Sequence, residues 1–497
     1  MSHAILAIDQ GTTSSRALLV SPDGTIHASA QEEFPQLYPA EGQVEHDPEA
    51  IWQSVLRTSQ EVMEAAKNAG RTVVGVGITN QRETIVLWDK ETGKPLHNAI
   101  VWQDRRTGGF CQALRDEGKE EMVRERTGLL LDPYFSASKL TWLLDEVPGA
   151  REAAEAGKLM AGTIDTWLLY KLSGGRSFLT DATNACRTCL FNLETQEWDR
   201  GLLELFRIPE GLLPQVTDSA ADFGSCDRAH FGTPLPVLSM VGDQQAAAVG
   251  QACFTPGDIK STYGTGCFVL VNTGEEIKRS NNKLLSTVAY RLDGKPTYSV
   301  EGSIFIAGAA VQWLRDELRL LENASETAER AEKAKADADV IMVPAFAGMG
   351  APHWSPDARA AVFGMTRATG PDELARAALE GVVYQTMDLI DAMRADGLAC
   401  DALSVDGGMA ANDWFVQRLS DILALPVDRP AALETTALGA AYLGFLQAGI
   451  FLSLDDIAQQ VSRDHRFEPQ MSAEDRDRRL RRWKACVEAV LSVAAVQ

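Results

Sequence analysis

At 497 residues, 45% hydrophobic and 23% charged, the chain is too long for one core and has the composition of a globular enzyme of two or three domains. A formal charge of −22 excludes nucleic acid as a general partner, because a phosphate backbone requires a basic face. No apolar run is long enough to span a bilayer, no basic leader precedes the first strand, and the eight cysteines are scattered, so a reduced, cytoplasmic protein is expected.

The first stretch, Ala4-Ile5-Leu6-Ala7-Ile8-Asp9-Gln10-Gly11-Thr12-Thr13-Ser14-Ser15-Arg16, is an apolar strand followed by an aspartate, a glycine, four hydroxyls and an arginine. Ala17-Leu18-Leu19-Val20 then returns and stops at Ser21-Pro22-Asp23-Gly24, which predicts a β-hairpin over 4–20. Gly11 permits a tight turn with amides open to an anion, and the hydroxyls suit phosphate oxygens. Asp9 suits a hydrated Mg²⁺, a hard cation that prefers oxygen ligands. A plain polar loop is the alternative reading of this stretch. A Walker loop is not, since no Gly-Lys-Ser/Thr opens a helix after it.

Asp47-Pro48 opens a helix whose Ile51, Trp52, Val55, Leu56, Val62 and Met63 recur at helical spacing until Gly70. An apolar strand over 73–78 ends in Thr79-Asn80-Gln81-Arg82-Glu83-Thr84; a second follows over 85–88, and a third over 99–102 ends in Gln103-Asp104-Arg105-Arg106. Polar clusters at strand ends are where open α/β folds collect their sites. Helices are predicted over 138–144 and 164–172. Cys186-Arg187-Thr188-Cys189 is the one CxxC; with no second pair or nearby histidines to complete a tetrahedral site, it reads as two small residues on a strand. The strand signal returns over 237–245, with Asp243-Gln244-Gln245 at its end, and a small-residue helix follows over 246–253.

The second half opens as the first did. A strand over 258–262, the turn Tyr263-Gly264-Thr265-Gly266 and a return strand over 268–271 form a weak echo of residues 5–20. Helices are predicted over 303–318 and 371–393. A strand over 402–406 then meets Gly407-Gly408 and a helix N-terminus at Asn412, a natural anion site. Residues 329–335 and the basic run 476–484, with Leu480 and Trp483 on one face, read as solvated helices. Three glycine turns after strands, two of them with hydroxyls, in two similarly built halves are what an α/β pair of actin-like/ribonuclease H-like ATPase domains flanking a nucleotide cleft would show.

The ordered set of motifs resembles the FGGY carbohydrate kinase family over essentially the whole chain. The resemblance is carried by 8–16, by Gly77 to Thr84, by Val101-Trp102-Gln103-Asp104-Arg105-Arg106-Thr107, by Gly242-Asp243-Gln244-Gln245, by Tyr263-Gly264-Thr265-Gly266-Cys267-Phe268, by 344–369 and by Asp406-Gly407-Gly408. Asn80-Gln81-Arg82-Glu83-Thr84 and Trp102-Gln103-Asp104-Arg105-Arg106 point to its glycerol branch rather than the pentulose or gluconate branches. The implied activity is ATP-dependent phosphorylation of glycerol to sn-glycerol 3-phosphate, with Mg²⁺.

Residue by residue, the resemblance implies Asp243 as the base that accepts the hydroxyl proton during attack on the γ-phosphorus, with a capping aspartate as the alternative. Arg82 and Glu83 match the polyol-binding pair; both can reach one ligand only if the backbone turns between them, and a surface ion pair is the alternative. Tyr134 and Gln244 match further hydroxyl contacts, and Trp102 and Phe268 match aromatic walls or plain core. Thr12, Thr13, Ser14, Arg16 and Thr265 match phosphate contacts. Gly308, Gln312, Gly408 and Asn412 match the wall for α-phosphate and adenosine. Asp9 is expected near Mg²⁺ through water, with Asp243 also facing the metal. His230 lies where some relatives carry a regulatory phosphohistidine, but its spacing to Asp243 does not fit. Thr233-Pro234-Leu235 lacks the arginine that an inhibitory sugar bisphosphate would need, so that inhibition is expected to be weak or absent. Domains are expected over 1–253 and 254–497, in a dimer or tetramer.

Overall fold

The computed structural model describes residues 3–432 and 434–496. Strands β1 (His3–Gln10) and β2 (Ser14–Val20) form the predicted hairpin, with Asp9 opposite Arg16. β3 (Ile26–Glu33) extends it antiparallel. On the other side β4 (Thr72–Asn80) lies parallel to β1, and β5 (Val237–Gly242) parallel to β4, giving the order β5-β4-β1-β2-β3. β1 reads as a continuous apolar run because both faces of this sheet are covered.

The second half contributes β6 (Ile259–Tyr263), β7 (Cys267–Gly274), β8 (Leu285–Leu292), β9 (Lys295–Ile304), β10 (Leu403–Asp406), β11 (Val427–Pro430) and β12 (Arg463–Phe467), in the order β8-β9-β7-β6-β10-β11-β12. The run β11-β10-β6-β7-β9 repeats β5-β4-β1-β2-β3 strand for strand and direction for direction. The faint sequence echo is thus a full repeat of topology.

Helix α1 (Pro48–Asn68) starts as predicted: Asp47 accepts the Glu49 amide, Pro48 fills the first turn, and the Ile51, Trp52, Val55 and Val62 face is buried. α2 (Ser136–Glu146) packs on a small sheet of Glu45–His46, Ala99–Ile100, Ile85–Asp89 and Leu159–Thr163. α3 (Asp243–Gly250) leaves β5 with no loop, so Asp243 is its first helical residue; the helix begins before the predicted 246. α4 (Gly308–Asp316) begins later than the predicted 303, because Ser303 still pairs in β9. α5 (Pro371–Ala395), α6 (Asp413–Leu423) and α7 (Thr435–Gln447) follow. In α8 (Ala473–Ala494) the basic run lies on an amphipathic helix as expected, but Trp483 is buried and donates to Asp388 at 2.9 Å.

The halves share a core. α7, late in the chain, lies on the first sheet, where Ala437, Ala440 and Leu443 join Ile5, Ala7 and Val241. It crosses α3 where Gly250 faces Gly439; a Cβ on either would strike the carbonyl oxygen of Thr435 or Ala246. Cys186 and Cys189 do not lie on a strand: they follow a one-turn helix, Ala182–Ala185, in a turn where Cys189 takes φ 62°. Among the described residues, no helix is long and apolar enough to cross a membrane.

Candidate active site

The loop of the first hairpin is anchored from behind. Gly11 donates its amide to Ser14 O at 2.9 Å, Gln81 its amide to Gln10 O at 2.7 Å, and Gln36 its side-chain amide to Thr12 O at 3.1 Å. Gln36 is held in turn by His46 at 2.7 Å, a ring that burial pushes down to a pKa of about 4 and so keeps neutral. With its carbonyls tied inward, the loop leaves Thr13 exposed and Thr12 and Ser14 half-buried. Thr12 Oγ1 accepts from Trp102 Nε1 at 3.0 Å, and the Arg16 guanidinium spans Gln31 and Glu434, the latter from the second half.

Asp9 lies at the root of this loop. Burial pushes its carboxyl up to about 7; Arg16 opposes the shift, and the charges of Asp243 and Glu434 add to it. Asp9 thus feels two further carboxylates against one guanidinium, a setting that a divalent cation relieves. Among the described residues no three His, Cys, Asp or Glu side chains form a cage that could hold a metal. The fit is therefore to Mg²⁺ carried mostly by water and phosphate oxygens, with one or two carboxylates.

The second hairpin turn meets α4. Thr265 O accepts the amides of Ala307 at 2.8 Å and Ala309 at 3.1 Å, and Gly264 O accepts that of Gly308 at 2.9 Å. A Cβ at Gly308 would lie 2.6 Å from Gly264 O and 3.9 Å from a side-chain carbon of Met409, so only glycine lets these segments close. Thr265, Gly308, Gln312 and Gly408 thus border one another, with Thr265, Gln312 and Gly408 exposed. Asn412 is committed within the fold: its Oδ1 accepts the Phe415 amide at 3.0 Å as the N-cap of α6, and its Nδ2 donates to Thr327 at 3.3 Å.

Between the two hairpins lies a buried chain of alternating charge. Glu83 accepts from Arg187 Nε at 2.6 Å; Glu301 on β9 accepts from Arg187 Nη2 at 3.1 Å and from Arg82 Nη1 at 2.5 Å; Arg82 Nε stands 3.1 Å from Asp243 Oδ1. The pair Arg82 and Glu83 is not a surface ion pair: both are buried, and Glu83 takes φ 59°, the backbone turn that lets neighbours face one space. Burial raises Glu83, partly offset by Arg187 and Arg82. Burial would raise Glu301 too, but Arg187 and Arg82 outweigh it and hold that carboxyl at about 2. Asp243 is the open member, its side chain 30% exposed while the others are at 0–2%. Its Oδ1 also accepts the Gln244 amide at 2.7 Å; no donor among the described residues reaches Oδ2.

Trp102 lies edge-on to Tyr134 at 5.6 Å and to Phe268 at 6.2 Å, so an aromatic group drawn from both halves flanks this floor. Tyr134 is set by the start of α2, where the buried Lys139 ammonium, pushed down to about 8 by burial, donates to the carbonyls of Pro133, Tyr134 and Phe135. Gln244 accepts from the buried Lys260 on β6, which also donates to Thr262 at 2.6 Å. Sequence reading passed over Arg187, Glu301 and Lys260. Arg187 stood inside the CxxC and was hidden by it; a lone glutamate or lysine on a strand gives no signal. His230 is apart from this set, with its ring edge-on to Trp52 at 5.1 Å.

The N-terminal domain of the FGGY family of carbohydrate kinases matches residues 4–250, and the C-terminal domain of that family matches residues 259–448. A glycerol kinase of Allorhizobium ampelinum is 57% identical over 99% of this chain and 100% of its own length. One of Rhizobium meliloti is 55% identical over the same shares. Among solved structures, Plasmodium falciparum glycerol kinase with ADP superposes with a TM-score of 0.92 at 36% identity, covering 99% of this chain and 98% of that one. A xylulose kinase of Lactobacillus acidophilus reaches 0.88 at 21% identity, covering 99% of each chain, a likeness of fold alone. The repeated halves are the actin-like α/β arrangement of these kinases. With both of its domains matched in order, the chain belongs to the FGGY family of carbohydrate kinases.

Proposed function

We propose that the protein is an ATP-dependent kinase that phosphorylates a primary hydroxyl of glycerol, giving sn-glycerol 3-phosphate and ADP. The observation that carries the reading is the half-open Asp243, its Oδ1 held by Arg82 and an amide and its Oδ2 free, beside the aromatic floor. Fixing one carboxylate oxygen aims the other, which accepts the hydroxyl proton as the alcohol oxygen attacks the γ-phosphorus. The base need not be strong, because phosphoryl transfer is governed by positioning and electrostatics.

Arg82 gives three hydrogen bonds to Gln245 and Glu301 and stands in ion-pair contact with Asp243 through Nε, leaving an N–H at Nη2 for a polyol oxygen. Glu83 Oε2 accepts from no donor among the described residues and suits a polyol hydroxyl. Tyr134 and Gln244 take further hydroxyls, and Trp102 and Phe268 cover the carbon chain, leaving little room for a longer sugar. Thr12, Thr13, Ser14, Arg16 and Thr265 serve the phosphates; Gly308, Gln312 and Gly408 border the nucleoside, with Asn412 acting through the cap of α6. Asp9, through water, and Asp243 face Mg²⁺, which when bound neutralises phosphate charge. The domains divide at 253/254, and a cytoplasmic dimer or tetramer fits the family.

The test is ADP release from Mg-ATP with and without glycerol, for wild type and Asp243→Asn. Glycerol-stimulated turnover that falls at least a hundredfold in the variant, while ADP still binds, is the expected result. A wild type stimulated by a tetritol, a pentulose or gluconate but not by glycerol would move the protein to another branch.

A further inference from the structure

The CxxC segment has no thiol chemistry to explain it. Cys186 and Cys189 are buried and burial raises both thiols, the reverse of a reactive cysteine. What the segment delivers is Arg187, fully buried between the two halves. Its Nε reaches Glu83 at 2.6 Å, its Nη2 reaches Glu301 at 3.1 Å, and its guanidinium carbon lies 5.5 Å from the Tyr134 ring centroid. Glu301, from the opposite half, spans two guanidiniums: Oε2 accepts from Arg82 at 2.5 Å, and Oε1 from Arg82 at 3.2 Å and Arg187 at 3.1 Å.

We propose that Arg187 and Glu301 are positioning residues for polyol recognition: Glu301 clamps Arg82 and Arg187 at fixed separation, and Arg187 fixes the carboxylate of Glu83. The inference rests on the reading of Arg82 and Glu83 as the polyol pair. Two guanidiniums packed this closely repel one another, and in a low-dielectric interior only a carboxylate between them holds both in place. Remove that charge and Arg82 is drawn onto Asp243 and Glu83, while Arg187 loses one of its two anchors. The polyol donors and acceptors then move although no polyol contact has been deleted. Because Glu301 belongs to the second half and Glu83, Arg82 and Arg187 to the first, the polyol site is complete only with both halves in register.

Apart from Asp243, the groups assigned to the nucleotide lie outside this chain of charge, which separates positioning from general damage. Glu301→Gln keeps the shape and removes the charge; Arg187→Lys keeps the charge but cannot bridge two carboxylates with a rigid fork. Steady-state kinetics with glycerol and Mg-ATP varied in turn, and ADP affinity by calorimetry, are measured for wild type, both singles and the double. The expected result is a glycerol KM raised at least tenfold in each single, ATP KM and ADP affinity within twofold, and a double variant no worse than the poorer single, since both act through one network. A glycerol KM within twofold of wild type in both singles, or a matching loss of ADP affinity, overturns the inference; so do strictly multiplicative effects. If Glu301→Gln does not fold, Arg187→Lys alone decides on the same readouts. A wild type that does not turn over glycerol at all would instead sink the underlying assignment of the site.

Discussion

Asp9 carries a carboxyl that burial places near pH 7 in the free protein, against an unfolded value near 3.8. The folded chain therefore holds this proton more tightly, and the group's contribution to stability is present at low pH and lost as pH rises from about 4 to 7. Cation binding runs the other way, because only the ionised form attracts Mg²⁺. Affinity for Mg-ADP is expected to fall about fivefold between pH 7 and pH 6, as the ionised fraction of Asp9 drops from about one half to about one eleventh. Calorimetry on Asp9→Asn supplies the control: an equally steep slope in that variant would remove Asp9 from the metal site. Lys139 gives a second residue-scale expectation. Lys139→Met strips three buried carbonyls of their donor, which costs about 1–3 kcal/mol. It should also raise the glycerol KM through Tyr134; thermal melts and kinetics together check this, and a stability loss with unchanged KM would limit Lys139 to holding the fold.

At the scale of elements, periodicity and turn chemistry located both hairpins, α1 and the helix Ile164–Leu172, because each of these is specified locally. Boundaries failed where tertiary pairing overrode propensity: Ser303 stays in β9 because Phe268 pairs with it across the ladder, and α3 starts early because Gly242 caps it directly. The α3–α7 crossing carries an element-scale prediction. Gly439→Ala must push the two helices apart, since the new carbon meets the Ala246 carbonyl, at a cost of about 1–3 kcal/mol. A fall in melting temperature is expected, with ATP KM also raised, since α3 begins at Asp243. An unchanged melt would show that the helices have slack there.

For the whole molecule, a site assembled from both halves should couple ligand binding to global stability. Glycerol and Mg-ADP together at about a hundred times their dissociation constants should add about 2.7 kcal/mol each if they bind independently. More than the sum of the two single shifts is expected, because both ligands hold the halves in register; simple additivity would argue that the halves do not communicate. Regulation follows from a shorter segment. The one arginine in 228–236, Arg228, donates its Nε to Gly232 O at 3.1 Å, leaving Thr233-Pro234-Leu235 without a phosphate-pairing cation. Fructose 1,6-bisphosphate at low millimolar concentration is expected to leave turnover unchanged, and clear inhibition would contradict this.

The sequence by itself singled out the candidates that belong to a local pattern: the hydroxyl-bearing hairpins around Gly11 and Gly264, Asp243 after a strand, and the Arg82-Glu83 pair. Each is a short motif whose chemistry is written in neighbouring residues. The tertiary structure alone decided what surrounds them. It made Arg82 and Glu83 buried rather than exposed, turned the CxxC into the mount for Arg187, and brought Glu301, 219 residues from Arg82 and 114 from Arg187, to sit between two guanidiniums. Such partners are chosen by desolvation, since a buried charge must find its opposite wherever the fold places one. Nothing in a residue's sequence neighbours records that choice.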